Sequence, residues 1–344
     1  MAIGSHIIPK FYLDRFANPP DRKNGQPHLW VYERLKEPHY RATSVQGYEN
    51  GYFAFVRPDG SLDESLETRL AELEGACLDT LELTASPFFD IRSASRRNAL
   101  AFYASMLFCR AKQRRSRSQD TCAKLHAQFV ELANDEEWIA ETTRRFVEQH
   151  GEPITPEILK ERLIRLANMM DGATAQRNNF IEDLVSSTEL MKGVVLKKPW
   201  QIWYAPKGTE FITSDNPFVS FIPLGNGRLN SGHGFRKPET IGAFPLSPHA
   251  CLAMGVRGPE SITIEAAFVS EINRTIIELC ERYVYSKSRT EGIRQLVDQF
   301  ANTRRYGVNA FLPLGMNLPT AKDFVLHMMR LGPWPFPDWI KSDN

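Results

Sequence analysis

The chain has 344 residues, of which 42% are hydrophobic and 24% are charged, and its formal net charge is +1. This composition permits a sizeable core, and the charge gives no global signal for nucleic acid or an anionic membrane as partner. The five cysteines show no CxxC spacing, which argues against disulfide staples and a zinc ribbon and favours a reducing, cytoplasmic compartment. No uncharged apolar run approaches the roughly 18 residues that span a bilayer.

Residues 1–60 form an N-terminal region rich in β-formers and turns. The segments at 28–34, "HLWVYER", and 51–56, "GYFAFV", predict short strands or a hairpin. The helical region 61–191 then opens with Ser61 and Glu64, which match a capping box. Apolar residues follow at helical spacing: Leu62, Leu66, Leu70, Leu73, Cys77 and Leu81.

Further helices are predicted up to residue 191. One long helix is expected over about 95–132, and another over about 135–149. Pro156 suits the first turn of a helix, or of a bent pair of helices, that continues to about Met191.

Between residues 199 and 301, the period of the hydrophobic pattern changes to that of β-strands. "WQIWYAP" and "EFITSD" flank Lys207-Gly208, which predicts an antiparallel hairpin. Three more strand candidates follow, and then a helix at 265–281, a strand at 283–286 and a helix at 290–301. Residues 302–344 form a Pro-rich tail that we expect to pack on the body. The prediction is one α+β domain, 1–344, predominantly helical, with a C-terminal antiparallel sheet and a short N-terminal β region.

Several segments, taken in order, resemble one protein family. They are "HIIPKFYLDRFA" (6–17), "LWVYER" (29–34), "YENGYF" (48–53), "LETRLAELE" (66–74), "LAFYASMLFCR" (100–110), "FITSDNPF" (211–218) and "FPLSPHACLAM" (244–254). The chain resembles a bacterial family described only as domain of unknown function 4238 (DUF4238). The match covers roughly residues 6–290, and it implies no reaction. Because His6 coincides with the family's opening histidine, it is interpreted as native sequence rather than as part of a cloning tag.

His6 precedes a short segment in which Pro9 favours extended backbone and Phe11, Tyr12 and Phe16 recur at about one-turn spacing. A neutral imidazole here serves either as a buried hydrogen-bonded anchor, or as a metal ligand or general base.

The motif "TSDNP" at 213–217 follows a predicted strand. Ser214, Asp215 and Asn216 are short polar residues that suit a turn ending that strand. The functional alternative places Asp215 at a strand end as a metal ligand or general base, with Ser214 and Asn216 as binding residues.

Glu67 and Glu74 lie seven residues apart, two helical turns, and so share one face of a predicted helix. One interpretation is a solvated flank beside the apolar stripe. The alternative is that these two carboxylates reach an interior site and hold a metal ion.

Arg110 ends an apolar stretch that begins at Leu100. Burying a lone guanidinium is costly, so the sequence predicts a partner carboxylate or a bound anion. The basic run that follows, 110–117, is interpreted either as an ion-paired helix or as a phosphate-binding patch.

Two functions remain open at this point. The chain lacks the G-x-G-x-x-G, Walker A, H-E-x-x-H and G-x-S-x-G motifs. The first hypothesis is a metal-dependent phosphodiesterase or nuclease-like hydrolase. In it His6 and Asp215 are catalytic, Glu67 and Glu74 hold Mg²⁺ or Mn²⁺, and Arg110 positions phosphate. The alternative is a non-enzymatic binding protein in which His6 and Asp215 are structural. A homodimer formed through the tail is a further expectation.

Overall fold

A computed structural model describes residues 4–20, 25–84, 89–151, 154–225, 227–231, 234–303, 320–322 and 325. Within this part of the chain, a run of helices lies between two strand-rich regions, which is the α+β class predicted above. No helix among these residues is both long and apolar enough to cross a membrane. Most of the tail at 302–344 lies outside the described residues.

The chain divides into two compact units. The first comprises Met1–Arg115 with Leu184–Val308, and the second comprises Ser116–Asp183 with Asn309–Asn344. The expectation of a single domain over 1–344 stays a prediction.

The N-terminal part of the first unit is made of short elements. They are β1 (Gly4–His6), α1 (Lys10–Asp14), β2 (His28–Glu33), β3 (His39–Ala42), β4 (Tyr48–Asn50), β5 (Phe55–Val56) and β6 (Leu62–Asp63). β1 pairs antiparallel with β4, and β5 pairs antiparallel with β6. The strand predicted over 51–56 is therefore reduced to its last two residues. The reason is a turn at Gly51, where φ is +59° and the carbonyl accepts from the Ala54 N–H.

The helical region contains six described helices. They are α2 (Ser65–Leu83), α3 (Ala94–Arg110), α4 (Lys112–Asn134), α5 (Glu136–His150), α6 (Pro156–Met170) and α7 (Gly172–Lys197). Pro156 opens α6 as predicted, with Thr155 as its N-cap. The predicted capping box at Ser61 is wrong, because residues 62–63 are extended and pair with β5. The N-cap of α2 is Glu64, which makes no side-chain cap bond.

The single helix predicted over 95–132 is also wrong. Ala111 has extended backbone angles, φ −56° and ψ 141°, and separates α3 from α4. Its carbonyl accepts from the N–H groups of Arg114 and Arg115 and so begins the new helix. Since Ala111 is fully buried, packing at this point overrides a helical sequence pattern.

The late elements are β7 (Trp200–Tyr204), β8 (Thr213–Ser214), β9 (Val219–Pro223), β10 (Leu229–Ser231), β11 (Ile241–Ser247), β12 (Ala250–Met254), β13 (Ser261–Thr263), α8 (Ala266–Leu279), β14 (Tyr283–Ser286) and α9 (Glu291–Phe300). The larger sheet has the order β10-β9-β11-β12-β7-β13. It is antiparallel except for β13, which runs parallel to β7.

The hairpin predicted around Lys207-Gly208 does not form, and β7 and β8 belong to different sheets. The connecting segment bonds instead to the turn between β11 and β12. The Ala205 N–H donates to the His249 carbonyl, and the Phe211 N–H donates to the Pro248 carbonyl.

A second sheet has the order β3-β2-β14-β8 and joins N-terminal strands to late ones. Tyr12 of α1 packs near it, with its ring stacked on Phe244 at 5.4 Å between centroids. Its hydroxyl donates to the Pro245 carbonyl at 2.7 Å and lies 2.9 Å from the Thr213 hydroxyl. These contacts fix α1 against strands β8 and β11.

The second unit has its own apolar core, drawn from α4, α5, α6 and two residues near 320–325. Its buried members include Phe129, Phe146, Leu159, Leu163 and Ala321.

Candidate functional site

A cleft of about 650 Å³ opens in the first unit between α1 and α2. The β1–α1 segment supplies one wall and a face of α2 supplies the other. The lining residues are His6, Pro9, Lys10, Phe11 and Asp14 on the first wall, and Glu67, Thr68, Ala71, Glu72 and Glu74 on the second.

Helical spacing explains the second wall. Glu67, Ala71 and Glu74 recur at i, i+4 and i+7, so they lie along one face of α2. Leu70, Cys77 and Leu81 form the buried face of the same helix. The two glutamates singled out from the sequence therefore face one shared space.

His6 ends β1 and is half-buried. Its ring meets the edge of Tyr48, the residue opposite it on β4, with centroids 5.4 Å apart. The ring atom Nε2 is buried and has no hydrogen-bond partner. A buried imidazole nitrogen without a partner beside a cleft makes His6 a candidate for ligand binding.

Glu67 is also half-buried. Burial raises the pKa of its carboxyl, against the opposing effects of the Ser5 hydroxyl, the Arg110 charge and the His6 backbone N–H. Its Oε2 atom is buried without a hydrogen-bond partner. Burial of this kind disfavours the charged form of the carboxyl.

Glu74 connects the cleft to the interior. Its carboxylate accepts from Nη1 of Arg110, the last residue of α3. The Arg110 side chain is fully buried, and that of Glu74 is 14% exposed. The partner carboxylate that the sequence required for Arg110 is therefore Glu74, and neither glutamate lies on a freely solvated flank.

Tyr103 lies on α3 beside this ion pair. Its hydroxyl is buried and has no hydrogen-bond partner. Burial raises the pKa of Tyr103 well above its ordinary value, and the nearby Glu74 charge raises it further. The sequence reasoning missed Tyr103, although it stands seven residues before Arg110, the same two-turn spacing that relates Glu67 to Glu74.

Asp215 follows β8, at the strand end predicted from the sequence. It is 4% exposed, and its carboxylate accepts from the backbone N–H groups of Glu281, Arg282 and Tyr283 at 2.8–2.9 Å. Burial raises its pKa to about 6, although the three N–H bonds act in the opposite direction. Asp215 thus joins the end of β8 to the start of β14.

Ser214 and Asn216 complete this junction. The Ser214 hydroxyl accepts from the Asn216 N–H at 3.1 Å. The Asn216 side-chain amide donates to the Leu279 carbonyl at 2.8 Å. Ser214, Asp215 and Asn216 are not among the residues that line the described cleft.

Three of the basic residues after Arg110 have contacts that the structure describes. Lys112 and Arg115 face Glu49, with N–O distances of 2.6 and 4.0 Å. The Arg114 guanidinium lies 4.5 Å from the centre of the Phe108 ring. These contacts fit the interpretation of an ion-paired helix.

Among the described residues, no group of three or more His, Cys, Asp or Glu side chains is arranged to hold a metal ion. All five cysteines lie in the described part of the chain, where they are buried and free.

Comparison with known proteins identifies the family of the chain. The model of a family described as "Protein of unknown function (DUF4238)" matches residues 5–290. The chain belongs to the DUF4238 family. No curated protein and no solved structure matches it. The matched DUF4238 segment contains both walls of the cleft as well as Tyr103, Arg110 and Asp215.

Proposed function

We propose that the cleft between α1 and α2 is an active site in which Glu67 and His6 move protons to and from a small polar substrate. One observation carries this proposal. Among the described lining residues, Glu67 Oε2 and His6 Nε2 are the buried side-chain atoms without a hydrogen-bond partner. A carboxyl whose pKa is raised by burial is suited to act as the acid, and the imidazole to act as the base.

The charges of the residues that line the cleft limit the class of substrate that fits it. Asp14, Glu67, Glu72 and Glu74 face the cleft with one lining cation, Lys10, which is bound to Asp14 at 2.7 Å. The one cation of the described lining is already paired, and this disfavours a polyanion such as a nucleic acid backbone. A neutral, zwitterionic or singly charged small molecule fits better.

Metal-dependent hydrolysis of a phosphodiester is the narrower form of the enzyme proposal. It requires Mg²⁺ or Mn²⁺ held by Glu67 and Glu74, and Glu74 is already neutralised by Arg110. The unpartnered Glu67 oxygen suits an ion held through one carboxylate and the substrate. The residues of the cleft therefore favour acid–base chemistry by His6 and Glu67 over metal-dependent hydrolysis. Mg²⁺ and Mn²⁺ are both included in the assay.

A binding protein without catalysis is the second candidate. The observation that favours it concerns Asp215. Its carboxylate accepts hydrogen bonds from three backbone N–H groups, as a structural residue does. In this candidate the cleft retains a ligand and does not convert it.

The test is a mass-spectrometric screen of a polar metabolite extract incubated with the full-length protein, with and without Mg²⁺, Mn²⁺ or EDTA. We expect at least one metabolite to be consumed, and Glu67→Gln to slow its consumption by about 10²–10⁴-fold. Ala71→Trp fills the cleft and is expected to abolish turnover. Ala76→Trp, at an exposed position of α2 outside the lining, is the matched control.

The outcomes separate the candidates. Retention of a metabolite without conversion, lost in Ala71→Trp and kept in Ala76→Trp, selects the binding protein. Equal consumption by the wild type, Glu67→Gln and Ala71→Trp overturns the proposed site. Turnover that requires Mn²⁺ or Mg²⁺ selects the metal-dependent form.

Two further proposals concern context. A reducing, cytoplasmic compartment is proposed on the five free cysteines. A homodimer through the C-terminal tail is proposed on its apolar, aromatic sequence, to be tested by light scattering of the full chain and of a chain ending at residue 332.

A further inference from the structure

The side-on edge of the Arg110 guanidinium, formed by Nε and Nη2, has no hydrogen-bond partner although the side chain is fully buried. Nη1 is held by Glu74, and the guanidinium carbon lies 5.8 Å from the centre of the Phe53 ring. A buried charged donor without a partner is strongly destabilising. Folds that retain such a group commonly use it to bind something.

Two further buried side-chain atoms without a hydrogen-bond partner lie on α2 and α3. The Tyr103 hydroxyl and Glu67 Oε2 are buried without hydrogen-bond partners, and the Arg110 charge acts on both groups. Tyr103 and Arg110 are two helical turns apart on α3, and Glu67 is two turns from Glu74 on α2. Each helix therefore contributes one buried, unpartnered group that the charge of Arg110 affects.

We propose that Arg110, Tyr103 and Glu67 bind the carboxylate of a small carboxylic acid that enters from the cleft. The Nε–Nη2 edge is a rigid fork whose spacing matches the two oxygens of a carboxylate. A carboxylate offers about four lone-pair sites. Two accept from Arg110, one accepts from the Tyr103 hydroxyl, and one accepts from the Glu67 carboxyl when that carboxyl holds a proton.

A planar monoanion suits this place better than a phosphate does. The fork is fully buried, so the group that reaches it must be small. Arg110 is already paired with the Glu74 carboxylate, so the charge that remains at the fork tolerates a monoanion better than a dianion. This inference rests on the proposed function, because it assigns the substrate class of the same cleft.

The test is calorimetric titration of the full-length protein with acetate, and with acetamide and inorganic phosphate as comparisons. We expect acetate to bind at least tenfold more tightly than either. Arg110→Lys keeps the charge but removes the fork, and is expected to weaken acetate binding at least tenfold. Tyr103→Phe removes one donor and is expected to weaken it about threefold to tenfold. Asp79→Asn, exposed on α2 outside the cleft, is the control.

Glu67→Gln separates this inference from the proposed function. Its amide still donates a hydrogen bond, so acetate affinity is expected to stay within about threefold of the wild type while turnover is lost. If turnover is found but acetate binds no better than acetamide, the carboxylate inference is wrong and the active site stands. Acetate binding that Arg110→Lys and Tyr103→Phe both leave unchanged, in variants with native circular dichroism spectra, also overturns it. If phosphate binds more tightly than acetate, the inference that the bound group is a carboxylate is wrong.

Discussion

Arg110 and Glu74 form an ion pair that joins the last residue of α3 to the cleft-facing side of α2. The guanidinium is fully buried and the carboxylate nearly so. The pair therefore belongs to the packing of the two helices, and its Glu74 also lines the cleft.

Loss of Glu74 is the first prediction. Glu74→Ala leaves the Arg110 charge buried without a counter-ion, so we expect the free energy of unfolding to fall by about 3–5 kcal/mol. Urea denaturation measures this change. Glu72→Ala breaks an exposed pair with Arg69 and is expected to change stability by less than about 1 kcal/mol. Equal effects of the two substitutions would show that the buried pair is not the important one.

The second prediction concerns pH and Asp215. Because burial raises the folded-state pKa of Asp215 to about 6, the folded protein binds more protons than the unfolded chain between about pH 4 and 6. The contribution of protonated Asp215 to the free energy of unfolding is fully present below pH 4 and is lost as the pH rises through 6. The expected loss is about 3 kcal/mol, from 1.36 kcal/mol per pKa unit.

Asp215→Asn removes this ionisation, and we expect the corresponding slope of stability against pH to disappear. Chemical denaturation at a series of pH values from 4 to 7 measures it. Asp79→Asn, at an exposed position of α2, should leave the slope in place. A slope that persists unchanged in Asp215→Asn would assign the pH dependence to other groups.

Glu67 provides the third prediction. Since burial raises its pKa, its charged form is disfavoured in the fold, and Glu67→Gln is expected to leave the thermal unfolding midpoint unchanged or raise it slightly. The same substitution is expected to slow turnover in the metabolite screen by about 10²–10⁴-fold. A large fall in the midpoint would instead make Glu67 a structural residue.

The fourth prediction concerns the Tyr12 hydroxyl, which links α1 to β8 and β11. Tyr12→Phe leaves the Pro245 carbonyl without this buried donor, and we expect a loss of about 1–3 kcal/mol in unfolding free energy. Tyr48→Phe is the matched control, because the Tyr48 hydroxyl donates to Asn50 at an exposed position. If both variants unfold at the same urea concentration as the wild type, the Tyr12 bond does not contribute.

Much of the local structure was readable from the sequence. Helical spacing predicted the buried face of α2 around Leu70, Cys77 and Leu81 and the shared side of Glu67 and Glu74. The cost of burying a lone guanidinium predicted a partner for Arg110. These features depend on periodicity and on the chemistry of single side chains, which a linear sequence carries in full.

Long-range contacts decided the rest. The packing of α2 on α3 decides which acid neutralises Arg110. The same packing places Tyr103 beside the ion pair. β7 and β8 part into two sheets because their connection bonds to the Pro248–His249 turn. Asp215 finds its donors more than sixty residues away, at the start of β14. The sequence by itself determined most of the helices and the candidate residues His6, Glu67, Glu74, Arg110 and Asp215. Only the tertiary structure decided that His6, Glu67 and Glu74 share a cleft while Asp215 holds two strands together, because such pairings are set by the competition among distant partners for burial and hydrogen bonds.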